Sequence, residues 1–254
     1  MVRILHISDS HAERESMQRL ANLAALLPDC DVVAHTGDCV SLGCDQLPSQ
    51  WDEWPHKLKL AVPGNHDRPH TFDLLPTWRC NTPWSERLED LAFLGLDGCG
   101  DASNALRDLR RGDTRAVILL MHWQPHENLL GRWYSIVKSR PLLILHGHDH
   151  PNSFSGRQWD DSGSLEGQRY FRSHVCSSVT RRRGLGNLIT WTGTTFECEE
   201  VQGPRERGPL VRHPKFGTGF LVKRDEQGEA AKVTVYFACG GEKRFLADRI
   251  EIES

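Results

Sequence analysis

The sequence predicts a layered α/β domain built on buried sheets. Three observations lead there. Through the first 150 residues, short apolar runs rich in β-branched side chains alternate with segments of helical periodicity, a βαβα order that packs as layers. The apolar runs are nearly continuous rather than alternating with polar residues, as in strands covered on both faces. Beyond about residue 151 helical periodicity fades and short strand-like runs separated by Gly-rich turns take over.

Taken in order, VRILHIS (2–8) is a buried strand, and RESMQRLANLAALL (14–27) places Met17, Leu20, Leu23, Ala24 and Leu27 at helical spacing until Pro28 stops it. DVVAHTG (31–37) is the next strand. Residues 46–56 carry a weaker helical pattern, interrupted by Pro48 and Pro55, before the strand KLKLAVPG (57–64). DLAFLGLDG (90–98) and RAVILLMH (115–122) are strands flanking a helix at 101–111, and a helix at 127–138 precedes the strand PLLILHG. Further strands are expected at 169–176, 186–192, 217–223, 231–238 and 243–250. The polar segment 198–216, with three prolines and two glycines, reads as a loop or insertion. The C-terminal part is expected to add sheet to one domain spanning 1–254.

Composition narrows the function. A chain of 254 residues can bury a sizeable core, and a net charge of −3 supplies no global field toward nucleic acid or anionic membranes. No apolar stretch approaches the roughly 18 residues of a membrane span, and the start MVRILHISDSH lacks an apolar signal segment, so a cytoplasmic protein is expected. The eight cysteines contain no CxxC pair. They are read as reduced thiols that pack as small hydrophobes, with no metal or redox role.

Chemistry collects at the strand ends. Asp9-Ser10-His11, Gly37-Asp38, Gly64-Asn65-His66-Asp67, Met121-His122 and Gly147-His148-Asp149-His150 each follow a predicted strand. In open α/β sheets the carboxyl ends of strands form the crevice where ligands bind, so these clusters are expected to converge. Carboxylate, amide and imidazole donors suit zinc, iron, manganese or nickel better than calcium, and there are enough of them for two ions. Two such ions about 3.5–4 Å apart clamp a phosphoryl group.

DSH, GD, GNHD, a lone His after a strand and GHDH, in that order over residues 3–150, resemble the five signature blocks of the calcineurin-like metallophosphoesterase superfamily. The resemblance implies a four-layer αββα sandwich with extra C-terminal strands. It implies two divalent transition-metal ions (Mn, Fe, Zn or similar), the first held by Asp9, His11 and His150, the second by Asn65, His122 and His148, with Asp38 bridging. His66 resembles the catalytic histidine that protonates the leaving oxygen, and Asp67 would orient it. The implied reaction is hydrolysis of a phosphoester by in-line attack of a metal-bridging hydroxide.

Departures within the blocks refine this. The text GDCVSLG lacks the arginine of GDxxDRG, and GNHD replaces GNHE, which weakens a protein-phosphatase assignment. The chain is more similar to the compact phosphodiesterases of the superfamily, so a small organic phosphate or nucleotide substrate is expected. Arg68 and Trp123, each directly after a motif, are candidate contacts to phosphate and to a flat ring. The run Arg181-Arg182-Arg183 reads as a solvated loop, with a nuclease or nucleic-acid end-processing enzyme as the alternative if it lies beside the site. A non-catalytic scaffold is disfavoured because the full ligand set is present. His6, His35 and His146 read as satisfied polar residues supporting the motifs.

Overall fold

The computed structural model describes all residues except 12–13, 41–48, 69, 81, 98–100, 110–112, 124–126, 138–139, 149–157, 161–171, 175–184, 226–230 and 253–254. Its first half runs β1 (Val2–Ile7), α1 (Arg14–Leu26), β2 (Val32–His35), β3 (Leu58–Ala61), β4 (Trp78–Arg79), β5 (Trp84–Leu88), β6 (Leu91–Gly95), α2 (Ser103–Leu109), β7 (Ala116–Leu120), α3 (Glu127–Val137) and β8 (Leu142–Leu145). Among the described residues the second half is strand apart from a 3-10 turn, Ala247–Arg249: β9 (Gln158–Asp160), β10 (Arg172–His174), β11 (Leu185–Trp191), β12 (Phe196–Gln202), β13 (Leu210–His213), β14 (Gly217–Asp225), β15 (Lys232–Phe237), β16 (Gly241–Leu246) and β17 (Glu251–Ile252).

Two sheets face one another. The first has the order β12-β11-β1-β2-β3-β4, and the second β5-β6-β7-β8. Strands β1, β2 and β3 pair in parallel, as do β6, β7 and β8, while β11 returns antiparallel to β1. Parallel pairing needs crossover connections, and the helices that supply them cover the outer faces.

Alternation along each strand explains the layering. On β1, Val2 and Ile4 meet Phe93, Ile118 and Leu145 of the second sheet in a continuous inner core, whereas Leu5 and Ile7 face α1. On β7, Ala116, Ile118 and Leu120 point inward, and Val117 and Leu119 pack under α2 and α3 with Trp133. Each strand is thus apolar on both faces, which is why the runs read as continuous. The result is the four-layer αββα sandwich.

The C-terminal strands form a five-stranded sheet, β16-β15-β14-β13-β17. It packs on the outer side of α1, where Phe220 and Ala238 join the cluster of Leu20, Leu23 and Leu27. Polar contacts fasten the same junction: Arg19 donates from Nε to the Gly203 carbonyl at 2.9 Å and Asn22 from Nδ2 to the Pro204 carbonyl at 3.0 Å.

Two expectations are corrected. Segment 198–216 is no loop, because it contains most of β12 and all of β13. β12 is the outermost strand of its sheet, with Glu197, Cys198, Glu199 and Glu200 exposed, so it lacks the apolar pattern of a buried strand. Among the described residues of 46–56 the pattern yields a 3-10 turn, Ser49–Glu53, whose Trp51 is buried against Trp54 and Trp78. Its prolines leave no room for a longer helix.

Candidate metal centre

The parallel strands of both sheets deliver their C-terminal ends to one crevice. Asp9 and His11 follow β1, Asp38 follows β2, Asn65 and His66 follow β3, His122 follows β7 and His148 follows β8. The loops are laced together by the backbone: Asp9 N–H donates to the Gly37 carbonyl at 2.9 Å and His11 N–H to the Asp38 carbonyl at 3.0 Å.

The turns after these strands are strained where the donors sit. Among the described residues five non-glycine positions have positive φ, and four of them are Asp9 (52°), His11 (49°), Asp38 (52°) and His148 (72°). Such backbone is unfavourable for side chains with a Cβ and concentrates at functional sites. Gly37 permits the tight approach: at φ +92°, a Cβ there would lie 2.7 Å from both Gly64 N and His122 Nδ1.

Four donors converge at the second position. Asn65 Oδ1 lies 3.1 Å from His122 Nε2 and 3.0 Å from His148 Nδ1, the two ring nitrogens are 3.2 Å apart, and Asp38 Oδ2 is 3.3 Å from His122 Nε2. His122 Nδ1 is 2.8 Å from the Thr36 carbonyl, which can only accept, so that nitrogen carries the hydrogen. In the neutral ring Nε2 then turns a bare lone pair toward the oxygens of Asp38 and Asn65. Lone pairs gathered so closely call for a cation between them. Bonds of about 2.0–2.2 Å to one ion would set neighbouring donors about 3.0–3.5 Å apart, as these are. The donor set therefore fits a divalent ion.

The electrostatics agree. Burial pushes the Asp38 carboxyl up, but the protonated form of His122, which donates to it, and the His66 backbone N–H outweigh this and hold the group below the usual carboxylate range. Burial depresses His122, yet Asp38 more than compensates and raises it. Positive charge is stabilised at this point of the crevice.

A second group consists of His11, Asp38 and His66, whose ligand atoms all lie within 4.8 Å of one another, with Asp38 common to both groups. His66 was expected to be the catalytic histidine, and here it stands beside the donors: its Nε2 is 3.8 Å from Asp38 Oδ2 and its ring meets that of His11 at 5.1 Å. Asp9 lies outside both groups. Its buried carboxylate accepts from Ser8 Oγ at 2.5 Å and from the His148 backbone N–H at 3.2 Å. His150, Asp149, His126 and Arg181-Arg182-Arg183 fall outside the described residues.

Asp67 does not orient His66. Its oxygens accept from Gly64 N–H at 2.8 Å and Val40 N–H at 3.1 Å, while His66 Nδ1 has no hydrogen-bond partner among the described residues. Buried loop amides must be satisfied, and Asp67 meets that need by pinning the β3 loop to the β2 loop. Trp123 lies against the donor rings, 5.0 Å from His122 and 5.7 Å from His148. Arg68 is exposed on the next turn, its backbone N–H donating to Thr71 Oγ1 at 2.8 Å.

Sequence reasoning missed Thr36 and Ser8. The first acts through its carbonyl, for which side-chain identity gives no signal, and the second through a serine too common to single out.

A profile of the calcineurin-like phosphoesterases matches residues 2–172, well over half of the chain. The chain belongs to the calcineurin-like phosphoesterase family. A UPF0046 protein of Caenorhabditis elegans is 27% identical over 150 residues, a stretch covering 57% of this chain and 48% of that one, so the match spans about half the relative's length. A hypothetical protein from Thermus thermophilus has a similar structure, with a TM-score of 0.52 at 14% identity over 80% of this chain and 100% of that one. A dimetal phosphatase from Danio rerio superposes with a TM-score of 0.49 at 13% identity, covering 81% of this chain and 96% of the other. The phosphoesterase profile covers β1 through β8, the part of the fold that brings the donors together.

Proposed function

We propose that this calcineurin-like phosphoesterase hydrolyses phosphoester bonds at a two-ion centre, acting as a phosphodiesterase or broad phosphohydrolase on small organic phosphates or nucleotides. The observation that carries the reading is the convergence of Asp38, Asn65, His122 and His148 donors at 3.0–3.3 Å, with a second group of donors sharing Asp38. Asn65, His122 and His148 would hold one ion, Asp9, His11 and His150 the other, and Asp38 both. Two divalent ions here would neutralise phosphoryl charge and acidify a water for attack.

The protein's own groups do the rest. Thr36 fixes the His122 tautomer through its carbonyl, keeping Nε2 free as a donor. His66 stands at the rim of the crevice with its side chain 29% exposed and Nε2 3.8 Å from Asp38, where it would donate a proton to the oxygen that leaves phosphorus. Trp123 offers a flat surface beside His122 and His148 for a base or aryl group. Asp67 keeps the loop carrying Asn65 and His66 closed on the Asp38 loop.

Mn2+-reconstituted protein assayed on matched aryl monoesters, diesters, cyclic nucleotides and short oligonucleotides tests the reading. Turnover of at least one small ester is expected. His66→Ala should lower kcat by about 10²–10⁴-fold while still binding two Mn2+ per chain. Loss of an ion instead would make His66 a ligand rather than the acid. Full activity in Asp38→Ala would overturn the mechanism.

A further inference from the structure

His35, the last residue of β2, is 1% exposed and hydrogen bonds to none of the described donors. Its ring is nevertheless read out from both sides. Gly37 N–H donates to Nδ1 at 3.2 Å, and an amide cannot accept, so Nδ1 holds the lone pair and the hydrogen of the neutral ring is on Nε2. That hydrogen meets Ser10 Oγ at 3.2 Å, and Ser10 donates onward to the Cys39 carbonyl at 2.9 Å. The Cys39 thiol lies 3.2 Å from the same Nδ1, and the Trp51 ring packs alongside, 6.0 Å between centroids.

One imidazole thus ties residue 10, between Asp9 and His11, to residues 37 and 39, on either side of Asp38. We propose that His35 is a positioning residue, a neutral imidazole clasp that sets the spacing between the Asp9–His11 loop and Asp38 and thereby the affinity of the crevice for a divalent cation. The idea rests on the two-ion reading above. Burial first, and then the charge His122 carries when protonated, drive the His35 pKa down to about 3, so the ring stays neutral across the physiological range, and the Gly37 N–H selects its tautomer. The bland alternative is that the backbone bonds from Asp9 to Gly37 and from His11 to Asp38 already fix the loops, leaving His35 as packing.

Metal-free protein, His35→Leu, His35→Asn and Ser10→Ala decide between them by two readouts, amide hydrogen exchange at Gly37 and titration with Mn2+ alone. His35→Leu should speed Gly37 exchange and weaken Mn2+ binding by about 10–100-fold. His35→Asn, which keeps an acceptor for Gly37, and Ser10→Ala should each fall between that variant and the wild type. Adding Ser10→Ala to His35→Leu should cost less than the sum of the two single losses, because both cut the His35–Ser10 link while only Ser10→Ala also removes the bond to the Cys39 carbonyl. Wild-type exchange and affinity in folded His35→Leu would overturn the clasp; if that variant does not fold, the same result in Ser10→Ala would. Should the wild type bind no Mn2+, the metal-centre reading fails, and the exchange comparison still decides the clasp.

Discussion

Asp101 shows how much one side chain can organise. It accepts from the Ser103 hydroxyl, from Ser103 N–H at 2.9 Å and from Trp133 Nε1 at 3.1 Å, and it pairs with Arg132 at 2.7 Å, so it starts α2 and fastens α3 to it. The Ser103 hydroxyl, its backbone N–H and Trp133 hold the Asp101 carboxyl down at about 2. A folded pKa below the unfolded one, about 3.9, stabilises the fold above pH 4, and the contribution disappears as pH falls through 2. Urea unfolding of Asp101→Asn should therefore show a deficit at pH 7 that closes by pH 2. At the same scale the converging Asp, Asn and His side chains were legible, because these residues are rare together at strand ends. The partner of Asp67 was not legible: sequence adjacency suggested His66, whereas two loop amides claimed both oxygens.

Among elements, the two-sided burial of the parallel strands dominates. Phe93 is 0% exposed and sits between the sheets, so Phe93→Ala leaves a cavity that neither sheet can collapse into. A loss of about 3–5 kcal/mol in denaturant unfolding is expected. Such strands announce themselves, since both faces demand apolar residues; β1, β2, β3, β6, β7 and β8 all appear in the sequence within a residue or three of their observed bounds. Strands with a solvent face or an open edge do not. β5, WSERL, alternates half-buried and exposed positions, and β12 carries three exposed glutamates, so neither shows a continuous apolar run, although each pairs with its neighbour in the chain, β6 and β11.

For the molecule as a whole, the telling junction is between α1 and the C-terminal sheet. Phe220 and Ala238 share a core with α1, and buried Asn22 donates to Pro204. We propose that the chain unfolds as one unit: calorimetry should show a single transition, and Asn22→Ala should lower it without splitting it, at a cost of about 1–3 kcal/mol. Two resolved transitions would make the C-terminal sheet an independent domain. Sequence could assign β14, β15 and β16, but neither β13 and β17 nor where the sheet docks, because the contacts beside it lie between residues some 180 positions apart.

The left-handed backbone at Asp9, His11, Asp38 and His148 has a further consequence. On the proposed two-ion reading, stability and binding pull these positions toward different residues, since glycine would relax the turn and only a donor would serve an ion. His11→Gly in metal-free protein should cost no stability and gain up to about 1 kcal/mol in thermal unfolding, while weakening Mn2+ binding. Selection for heat resistance alone would erode this centre first, by trading its ligands for glycine.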